Sequence, residues 1–349
     1  MKGHDKRFLA EWEAQCGVLI AIPDEQTDWN YILDDAIDQY RRLAGALLDC
    51  GTRVIALCRN REQTVGRLGE ELSSRMILVE TELNDTWTRD YGPLAVEKEG
   101  RMRALDFGFN GWGLKFAADH DNLVNLRLRD LHIIEPSAYR NERSFVLEGG
   151  SIESDGQGTV MTTTRCLTSP NRNGGLSKGE LNDILRERLG AEHVLWLDHG
   201  ALAGDDTDSH IDTLARLAPG NSIVFTGCRD MDDEHFEELL RMRAQLTLFR
   251  NMEGEPFNLV ELPLPDPVYA DGERLPATYA NYLVTDTAIL MPTYAQPQKD
   301  MLAMQTIRIV YPDRKVIGVD CRTLLRQHGS LHCATMQLHP KEINSTVYE

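Results

Sequence analysis

The sequence lacks the features that mark several large classes of protein. Among its 349 residues, no apolar run approaches the roughly 18 residues of a membrane-spanning helix, and residues 1–13 are polar, without the apolar region of a signal peptide. No GxGxxG pattern follows a strand-like run, and no P-loop pattern occurs, so nucleotide binding has no support. These absences predict a cytosolic protein that binds no nucleotide.

Cysteine usage and charge exclude further classes. The seven cysteines, at positions 16, 50, 58, 166, 228, 321 and 333, are odd in number and show no CxxC spacing, which argues against a disulfide framework and a zinc ribbon. The formal charge of −18 disfavours nucleic acid as a partner and weakly favours small cations, although most of these charges fit a solvated surface.

Hydrophobic periodicity predicts a repeated α/β unit. The predicted helices span residues 32–50, 176–189, about 233–244 and 299–310, and short β-branched runs follow them at 53–57, 193–197, 246–249 and 315–319. Further predicted strands cover 18–22, 102–107, 145–152, 159–163, 222–226, 279–284 and 288–292. A hairpin, a helix and a closing strand recur about every 60 to 80 residues, which predicts a pseudo-symmetric closed α/β array.

No linker or low-complexity stretch divides the chain, and with 42% hydrophobic residues it can bury a large core. The prediction is therefore one domain over residues 1–349. Two stretches are long and mixed in composition: the predicted loop 117–142 and the segment 253–276. The first is a candidate either to close over a site or to be an insertion at the rim.

Five short segments combine Gly, Trp, Asp, His and Cys where a core strand would show aliphatic residues. They are 87–93 (WTRDYGP), 106–113 (DFGFNGWG), 147–151 (LEGGS), 205–212 (DDTDSHID) and 327–333 (QHGSLHC). Most lie at a predicted strand end or in the loop that follows, where functional sites are normally built.

Cys333 is the candidate nucleophile. The other six cysteines fit buried structural roles, whereas Cys333 follows Gly329 and Ser330 in a polar segment whose glycine allows close approach to a ligand. A free thiol titrates near about pH 8.5, so a cationic substrate beside it would help it to ionise.

His210 and Asp212 form an HxD pair whose side chains would point to the same side of an extended segment. Zinc binding is the rival interpretation, but the pair supplies only two ligands and no third His or Cys stands at a customary spacing. Acid–base catalysis is favoured. Asp206 and Asp208 could extend an anionic pocket, while Asp205 fits a solvated loop acid.

Asp90 lies in a Trp-flanked turn that ends in Gly-Pro, and Glu148 precedes a Gly-Gly pair; a structural turn role is the alternative for Asp90. Paired carboxylates with aromatic side chains describe a receptor for a planar cation such as a guanidinium. Cys333 could then attack the guanidinium carbon, and His210 could protonate the departing ammonia and activate the hydrolytic water. Neither a metal nor a cofactor is needed.

Taken in order, these segments resemble the agmatine deiminase branch of the guanidino-group-modifying, or pentein, superfamily, which is related to the bacterial peptidylarginine deiminases. The resemblance runs from AEWE at residues 10–13 through the segments above, SIESDGQGT at 151–159 and NRN at 171–173, to GSLHC at 329–333. It implies a five-bladed α/β propeller built from pseudo-fivefold strand-strand-helix-strand units around a central site.

The resemblance also implies roles for individual residues. Cys333 is the nucleophile, His210 the general acid and base, and Asp90 and Asp212 bind the guanidinium, while Glu148 lines the site and orients the histidine or the substrate. Trp87, Trp112 and Asp206 are candidates to line the channel or to meet the far amine. Homo-oligomers, often dimers, without cofactors are implied. DSH at 208–210 and QHGSLHC at 327–333 depart from the usual NGH and glycine run, which bears on selectivity.

The predicted reaction converts agmatine to N-carbamoylputrescine and ammonia, a step toward putrescine and the polyamines. The nearest rival is the same chemistry on arginine or peptidyl-arginine, which would call for a cation at the α-carboxylate; among the site segments only Arg89 offers one, in a position that fits a structural role. Two rival functions from different classes are a catalytically inactive polyamine-binding protein and a metallohydrolase.

Overall fold

The computed structural model describes residues 6–348. Residues 1–5 of the polar N-terminal stretch and Glu349, which the predicted single domain includes, lie outside the described residues. In chain order the strands are β1 (Lys6–Phe8), β2 (Gly17–Ala21), β3 (Val54–Cys58), β4 (Ile77–Glu80), β5 (Leu94–Lys98), β6 (Arg101–Gly108), β7 (Tyr139–Val146), β8 (Ile152–Ser154), β9 (Thr159–Thr163), β10 (His193–Leu197), β11 (Ala215–Ala218), β12 (Ser222–Gly227), β13 (Asn258–Pro263), β14 (Tyr269–Ala270), β15 (Glu273–Arg274), β16 (Leu283–Val284), β17 (Ala288–Thr293), β18 (Lys315–Asp320) and β19 (Met336–Leu338).

The longer helices lie between these strands. They are α1 (Leu33–Asp49), α2 (Arg61–Leu68), α3 (Val124–Asp130), α4 (Lys178–Leu189), α5 (Phe236–Leu246) and α6 (Pro297–Val310). One-turn helices span Glu70–Ser73, Thr88–Tyr91, Gly111–Leu114, Thr164–Leu167, Pro170–Asn173 and Arg322–Leu325, and 3-10 turns span Asp28–Ile32, Asp121–Leu123, Gly149–Ser151, Ile211–Thr213 and Ser345–Tyr348. None of the helices within residues 6–348 combines the length and the apolar composition needed to cross a bilayer.

One structural unit recurs in five of the six sheets that residues 6–348 form. The sheet orders are β19-β2-β3-β4, β1-β5-β6-β7, β10-β9-β8, β11-β12-β13 and β16-β17-β18. In each sheet an antiparallel pair is followed, through a helix, by a strand that pairs in parallel with its second member. The first sheet contains strands from both ends of the chain. The α/β class and the repeated unit are therefore confirmed.

The helix predictions were accurate where an apolar stripe is long. The predicted face of α1 is buried at Ala36, Tyr40, Leu43 and Leu47, whereas Ile32 precedes the helix and is half-buried. Helix α4 begins after Ser177, whose side chain accepts from Glu180 N while the Glu180 side chain accepts from Ser177 N, a capping box, and it ends at Gly190 with φ of 77°. No disulfide joins any pair of the seven cysteines, all of which are described.

Two predictions around α5 were wrong. Residues 246–249 are not a strand, because Leu246 continues the buried helical face of Leu239 and Met242 and ends the helix. The closing strand is instead β13, inside the long mixed segment 253–276. The predicted start at 233 was also early, since the helix begins at Phe236.

Three other segments needed correction. Residues 145–152 are not one strand, since β7 ends at Val146 and a 3-10 turn precedes β8. Of the predicted strand 279–284 only Leu283–Val284 pairs. The segment 117–142 contains α3 and the start of β7 and is thus part of the second repeated unit, which removes the suggestion that it is a loop closing over a site.

Candidate active site

Five polar side chains converge from equivalent places in the five repeated units. Asp90, Glu148, Asp212, Asn281 and Cys333 each lie two to four residues before the first strand of a unit, namely β5, β8, β11, β16 and β19. They form two groups. Asn281 and Asp212 lie around Cys333, and Asp90 and Glu148 lie around the imidazole of His210. Cys333, His210, Asp90 and Asp212 all line one cavity of about 330 Å³.

Cys333 has a buried thiol among acceptor oxygens. Its Sγ lies 3.4 Å from Oδ1 of Asn281 and 3.7 Å from Oδ2 of Asp212. Burial, together with the negative charges of Asp212 and Asp90, raises the pKa of the Cys333 thiol well above its usual range. Without a cation in the cavity, the thiol is therefore protonated at neutral pH.

One carboxylate oxygen of Asp212 is held by hydrogen bonds, and the other is not. Its Oδ2 accepts from Nδ1 of His332 at 2.8 Å and from Nδ2 of Asn281 at 3.1 Å. Burial would raise the pKa of Asp212, but the hydrogen bond and charge of His332 outweigh it and hold the pKa below its ordinary value. Oδ1 is buried and has no hydrogen-bond partner among the described residues.

His210 lies between two carboxylates. Its Nδ1 is 3.6 Å from Oδ1 of Asp90, and its Nε2 is 3.6 Å from Oε2 of Glu148. Burial would lower the pKa of His210, but the charge of Asp90 and the interaction with Glu148 raise it well above the usual range. The expected extended geometry at His210 to Asp212 is wrong, because Ile211–Thr213 forms a 3-10 turn; both side chains nevertheless line the cavity.

Asp90 is fixed by two donors from the glycine-rich segments. Nε1 of Trp112 donates to Oδ2 at 2.8 Å, and Gly150 N donates to Oδ1 at 2.9 Å. Burial raises the pKa of Asp90 above its ordinary value, and the charge of His210 opposes this effect. Trp112 has φ of 55°, which aims the indole at the carboxylate. Asp90 is therefore held with its carboxylate at the cavity, which fits the predicted guanidinium-binding role.

Glu148 lies behind His210, and this corrects the expectation that it lines the site. It is fully buried, and it accepts from Nε of Arg172 at 2.8 and 2.9 Å. Burial would raise the pKa of Glu148, but the neighbouring His210 and the charge of Arg172 lower it. The geometry suits orientation of the histidine, not contact with a ligand.

The DSH departure has a structural consequence. Asp208 and Ser209 have φ of 66° and 65°, the left-handed region that Asn and Gly tolerate best. Asp208 accepts from Nη1 of Arg172 at 2.6 Å and from Nζ of Lys115 at 2.9 Å. Asp208 thus positions the arginine that holds Glu148, a link that sequence reasoning missed because Arg172 lies in another unit.

Acidic and aromatic side chains form the rest of the cavity wall. Trp87, Trp112 and Asp206 all line it, as the resemblance implies, together with Asp28, Asp85, Phe116, Asp205, Thr207, Thr213, Arg326, Gln327, His328 and Gly329. Burial raises the pKa of Asp85 to about 7, and burial with the charge of Asp205 raises that of Asp206 to about 6. Gly329 packs against Trp87, where an added Cβ would lie 2.3 Å from the ring.

Two expectations about loop residues change. Asp205 is not a solvated loop acid, because it lines the cavity and accepts from Ser209 N and Thr207 Oγ1, both at 2.6 Å. Arg89 is structural, as expected, since Nη1 donates to Glu11 at 3.0 Å. The cation at the mouth of the cavity is instead Arg326, whose guanidinium stacks 5.4 Å from the ring centroid of Tyr31.

A group of three possible metal ligands includes His210 but not Asp212, its partner in the HxD pair. Donor atoms of His210, Glu148 and Cys166 lie within 4.8 Å of one another. However, Nε of Arg172 lies within 2.9 Å of both Glu148 oxygens, so a metal ion would lie beside a fixed positive charge. This donor set does not suit a metal ion.

Comparison with known proteins identifies the family. The model of the Porphyromonas-type peptidyl-arginine deiminases matches residues 7–339. The chain belongs to this family. It is 30% identical to the Listeria monocytogenes protein named "Putative agmatine deiminase 2", over 98% of this chain and 96% of that protein. The resemblance inferred from the motifs is confirmed.

Solved structures of related deiminases share the fold. A Porphyromonas gingivalis protein described as a "putative arginine deiminase" is 46% identical, with a TM-score of 0.91 over 97% of this chain and 100% of that one. An agmatine deiminase of C. jejuni with substrate bound is 34% identical, with a TM-score of 0.88 over 97% of each chain. The mixed α/β fold is therefore that of the deiminases.

Proposed function

We propose that this protein is an agmatine deiminase, a hydrolase that converts agmatine and water to N-carbamoylputrescine and ammonia. The observation that carries the proposal is that Cys333, His210, Asp90 and Asp212 surround a single acidic cavity. The agmatine deiminases among its full-length relatives support the substrate. A role in putrescine and polyamine synthesis follows from the product.

The carboxylates hold the guanidinium. The free Oδ1 of Asp212 and the carboxylate of Asp90 accept its N–H groups from two edges, and Trp87 and Trp112 wall the aliphatic stem. Because the site is buried, these charges act more strongly than they would in water.

The substrate itself activates the nucleophile. The cation of the bound guanidinium offsets the charges of Asp212 and Asp90 that raise the pKa of Cys333, so the thiol loses its proton to solvent. The thiolate sulfur bonds to the guanidinium carbon, and a tetrahedral intermediate forms between the two carboxylates.

His210 then moves the protons. As an imidazolium it donates a proton to the departing nitrogen, which leaves as ammonia, and Cys333 remains bound as a thiouronium. Neutral His210 accepts a proton from the incoming water, which adds to the same carbon. Breaking of the carbon–sulfur bond releases the thiolate and the urea product, whose remaining hydroxyl proton passes to solvent or to the released ammonia.

The far end of the cavity suits an amine. Besides Asp90 and Asp212, the carboxyl groups of Asp206, Asp28, Asp85 and Asp205 line the cavity, and we assign them to the end that receives the amine. Agmatine carries a second positive charge at this end, which fits such a wall. Free arginine carries a carboxylate near the same place.

Arg326 supports a second candidate, a deiminase of arginine or of a C-terminal arginine. It lines the cavity mouth and could meet an α-carboxylate, and the 46% identical relative is described as a "putative arginine deiminase". Agmatine is favoured because acidic side chains outnumber the cations in this wall.

The test compares ammonia release from agmatine, arginine and a peptide that ends in arginine. We expect agmatine to have the highest kcat/KM; no turnover of agmatine with good turnover of arginine would overturn the substrate assignment. Cys333→Ser should abolish release and still bind agmatine. Turnover by Cys333→Ser would disprove the nucleophile, an inactive wild type that binds agmatine would indicate a polyamine-binding protein, and loss of activity with a chelator would indicate a metallohydrolase.

We also propose that the five units close into a five-bladed propeller that forms one domain. The support is that equivalent positions of all five units meet around the site, and that the first sheet joins both chain ends. Limited proteolysis should yield no stable fragment. We further propose that the protein is a dimer, which light scattering can test, and that it is cytosolic.

A further inference from the structure

His332, next to the proposed nucleophile, has a buried imidazole with two acidic neighbours. Its Nδ1 lies 2.8 Å from Oδ2 of Asp212, and its Nε2 lies 2.6 Å from Oε1 of Glu11. The side chain is 1% exposed. Sequence reasoning assigned it no role, because its partners come from distant parts of the chain.

Glu11 is fixed from several sides. Its Oε2 accepts from Nη2 of Arg216 at 2.5 Å and from Nε2 of Gln337 at 2.9 Å, and its Oε1 accepts from Nη1 of Arg89 at 3.0 Å. Burial would raise the pKa of Glu11, but the charges of Arg216, His332 and Arg89 hold it well below its ordinary value. Glu11 is therefore an ionised acceptor.

The hydrogen-bond geometry determines the proton count of His332. Ionised Asp212 and ionised Glu11 can only accept, so both ring nitrogens must donate, which requires the imidazolium. Nη2 of Arg216 donates to Oε2 of Glu11 and also lies 3.0 Å from Nε2, so this contact alone would allow a neutral ring that accepts there. The 2.6 Å contact of Nε2 with Oε1 of Glu11 is what requires a proton on Nε2. A neutral ring would leave one of the two short contacts without a proton.

The charged groups that face His332 are Asp212, Glu11, Arg216 and, through Arg216, Glu153, while Nε of Arg89 lies 3.5 Å from its carbonyl oxygen. Glu11 balances the charge of Arg216 on one side of the ring. Of the charged groups in this cluster, Asp212 is the one that lines the cavity among the residues the structure describes.

We propose that His332 is a positioning residue, an imidazolium that Glu11 holds in place and that keeps Asp212 ionised with its free oxygen directed at the guanidinium. This inference deepens the proposed function and rests on it for the identity of the ligand. The Glu11–His332–Asp212 relay connects the N-terminal segment to the site.

The first experiment needs no substrate. Nitrogen-15 NMR of histidine-labelled protein, with the signals of His332 assigned by their loss in His332→Asn, should show both ring nitrogens protonated at about pH 7. A neutral ring, with one protonated nitrogen, would overturn the relay whether or not the protein deiminates agmatine. If His332 is an imidazolium but the protein turns over neither agmatine nor arginine, the proposed function is disproved and the relay is not.

The second experiment measures the consequence for the substrate. His332→Asn and His332→Ala should raise KM for agmatine by about 10- to 100-fold through the loss of a charge-assisted hydrogen bond. They should also move the acidic limb of kcat/KM to higher pH, because Asp212 then protonates more easily. The Kd of agmatine in a Cys333→Ser background should rise in parallel.

His339→Asn is the matched control. His339 is also buried, and its Nδ1 donates to the carbonyl of Ala14 at 2.9 Å, away from the cavity. A structural role for His332 would lower Tm in both variants and leave KM and the acidic limb within twofold of the wild type, which would overturn the proposal. If the His332 variants do not fold, Glu11→Gln is the substitute; it should raise KM for agmatine and remove one ring proton from His332. An unchanged KM and an unchanged imidazolium in Glu11→Gln would overturn the proposal.

Discussion

Gly150 lies where three side chains of the proposed mechanism meet. A Cβ added to it would lie 2.7 Å from Nδ1 of His210, 2.8 Å from Oδ1 of Asp90 and 3.1 Å from Oδ2 of Asp212. Real Cβ atoms do not approach polar atoms so closely, so these side chains would move. The Gly-Gly pair after Glu148 thus has a steric reason, since a Cβ on Gly149 would also meet the carbonyl of Arg89 at 2.2 Å.

Gly150→Ala should reduce kcat/KM for agmatine by about 100-fold or more, because a displacement of about 1 Å at reacting groups has an effect of this size. Steady-state ammonia release measures it. Gly179→Ala is the control, since its added Cβ meets only Oγ of Ser177 at 3.8 Å. A Gly150→Ala enzyme within threefold of the wild type would contradict the geometry.

Ser209 has an unfavourable backbone and an unpaired hydroxyl. Its φ is 65°, and Oγ is buried without a hydrogen-bond partner among residues 6–348. Ser209→Gly removes a left-handed penalty of about 1–2 kcal/mol and loses about 0.5–1 kcal/mol to unfolded-state entropy. We expect a net gain of about 1 kcal/mol in the free energy of unfolding by urea titration; a loss of stability would contradict this account.

At the scale of elements, the repeated unit explains both the site and what the sequence analysis missed. Asn281 contacts Asp212 and Cys333 from the position in its unit that Asp90, Glu148, Asp212 and Cys333 take in theirs. It was placed within a predicted strand, 279–284, because its neighbours are apolar. Aligning the five units by their strands would have found it.

Helix α4 allows a test of its terminus. Ser177→Ala removes the side-chain half of the capping box, so the free energy of unfolding should fall by about 1 kcal/mol. Urea denaturation measures the change. Ser137→Ala, at an exposed serine, should have an effect within about 0.5 kcal/mol. Equal effects of the two substitutions would show that the cap contributes nothing.

At the scale of the whole molecule, buried acids affect the dependence of stability on pH. Burial raises the pKa of Glu342 from 4.5 to about 8, and Oε1 has no hydrogen-bond partner in the described part of the chain. Between these values the folded state binds a proton that the unfolded state has lost. The contribution of Glu342 to stability is therefore present below about pH 4.5 and is lost as pH rises toward 8.

Glu342→Gln removes this titration. Relative to the wild type, the variant should gain stability as pH rises from about 5 to about 8, at roughly 1 kcal/mol per pH unit. Urea denaturation at both pH values measures the difference in the free energy of unfolding. A difference that is the same at both values would show that Glu342 does not keep its proton on folding.

Local sequence patterns were enough to predict the repeated α/β unit, because long apolar stripes such as that of α1 and strands such as β9 and β10 carry their period locally. They also indicated the chemistry-bearing side chains, since Cys333, His210, Asp90 and Asp212 stand in unusual glycine- and tryptophan-rich surroundings. Boundaries failed where a buried helical face ran on, as at Leu246, or where buried turns looked like strands, as before Leu283.

The partners of those side chains are set by the packed fold. Asn281, Arg172, His332 and Glu11 act across separations of up to 321 residues, and no local pattern encodes such contacts. The protonation states have the same origin, because burial and neighbouring charges depend on the packed fold. Both pKa values are raised, which leaves Cys333 a neutral thiol and His210 an imidazolium.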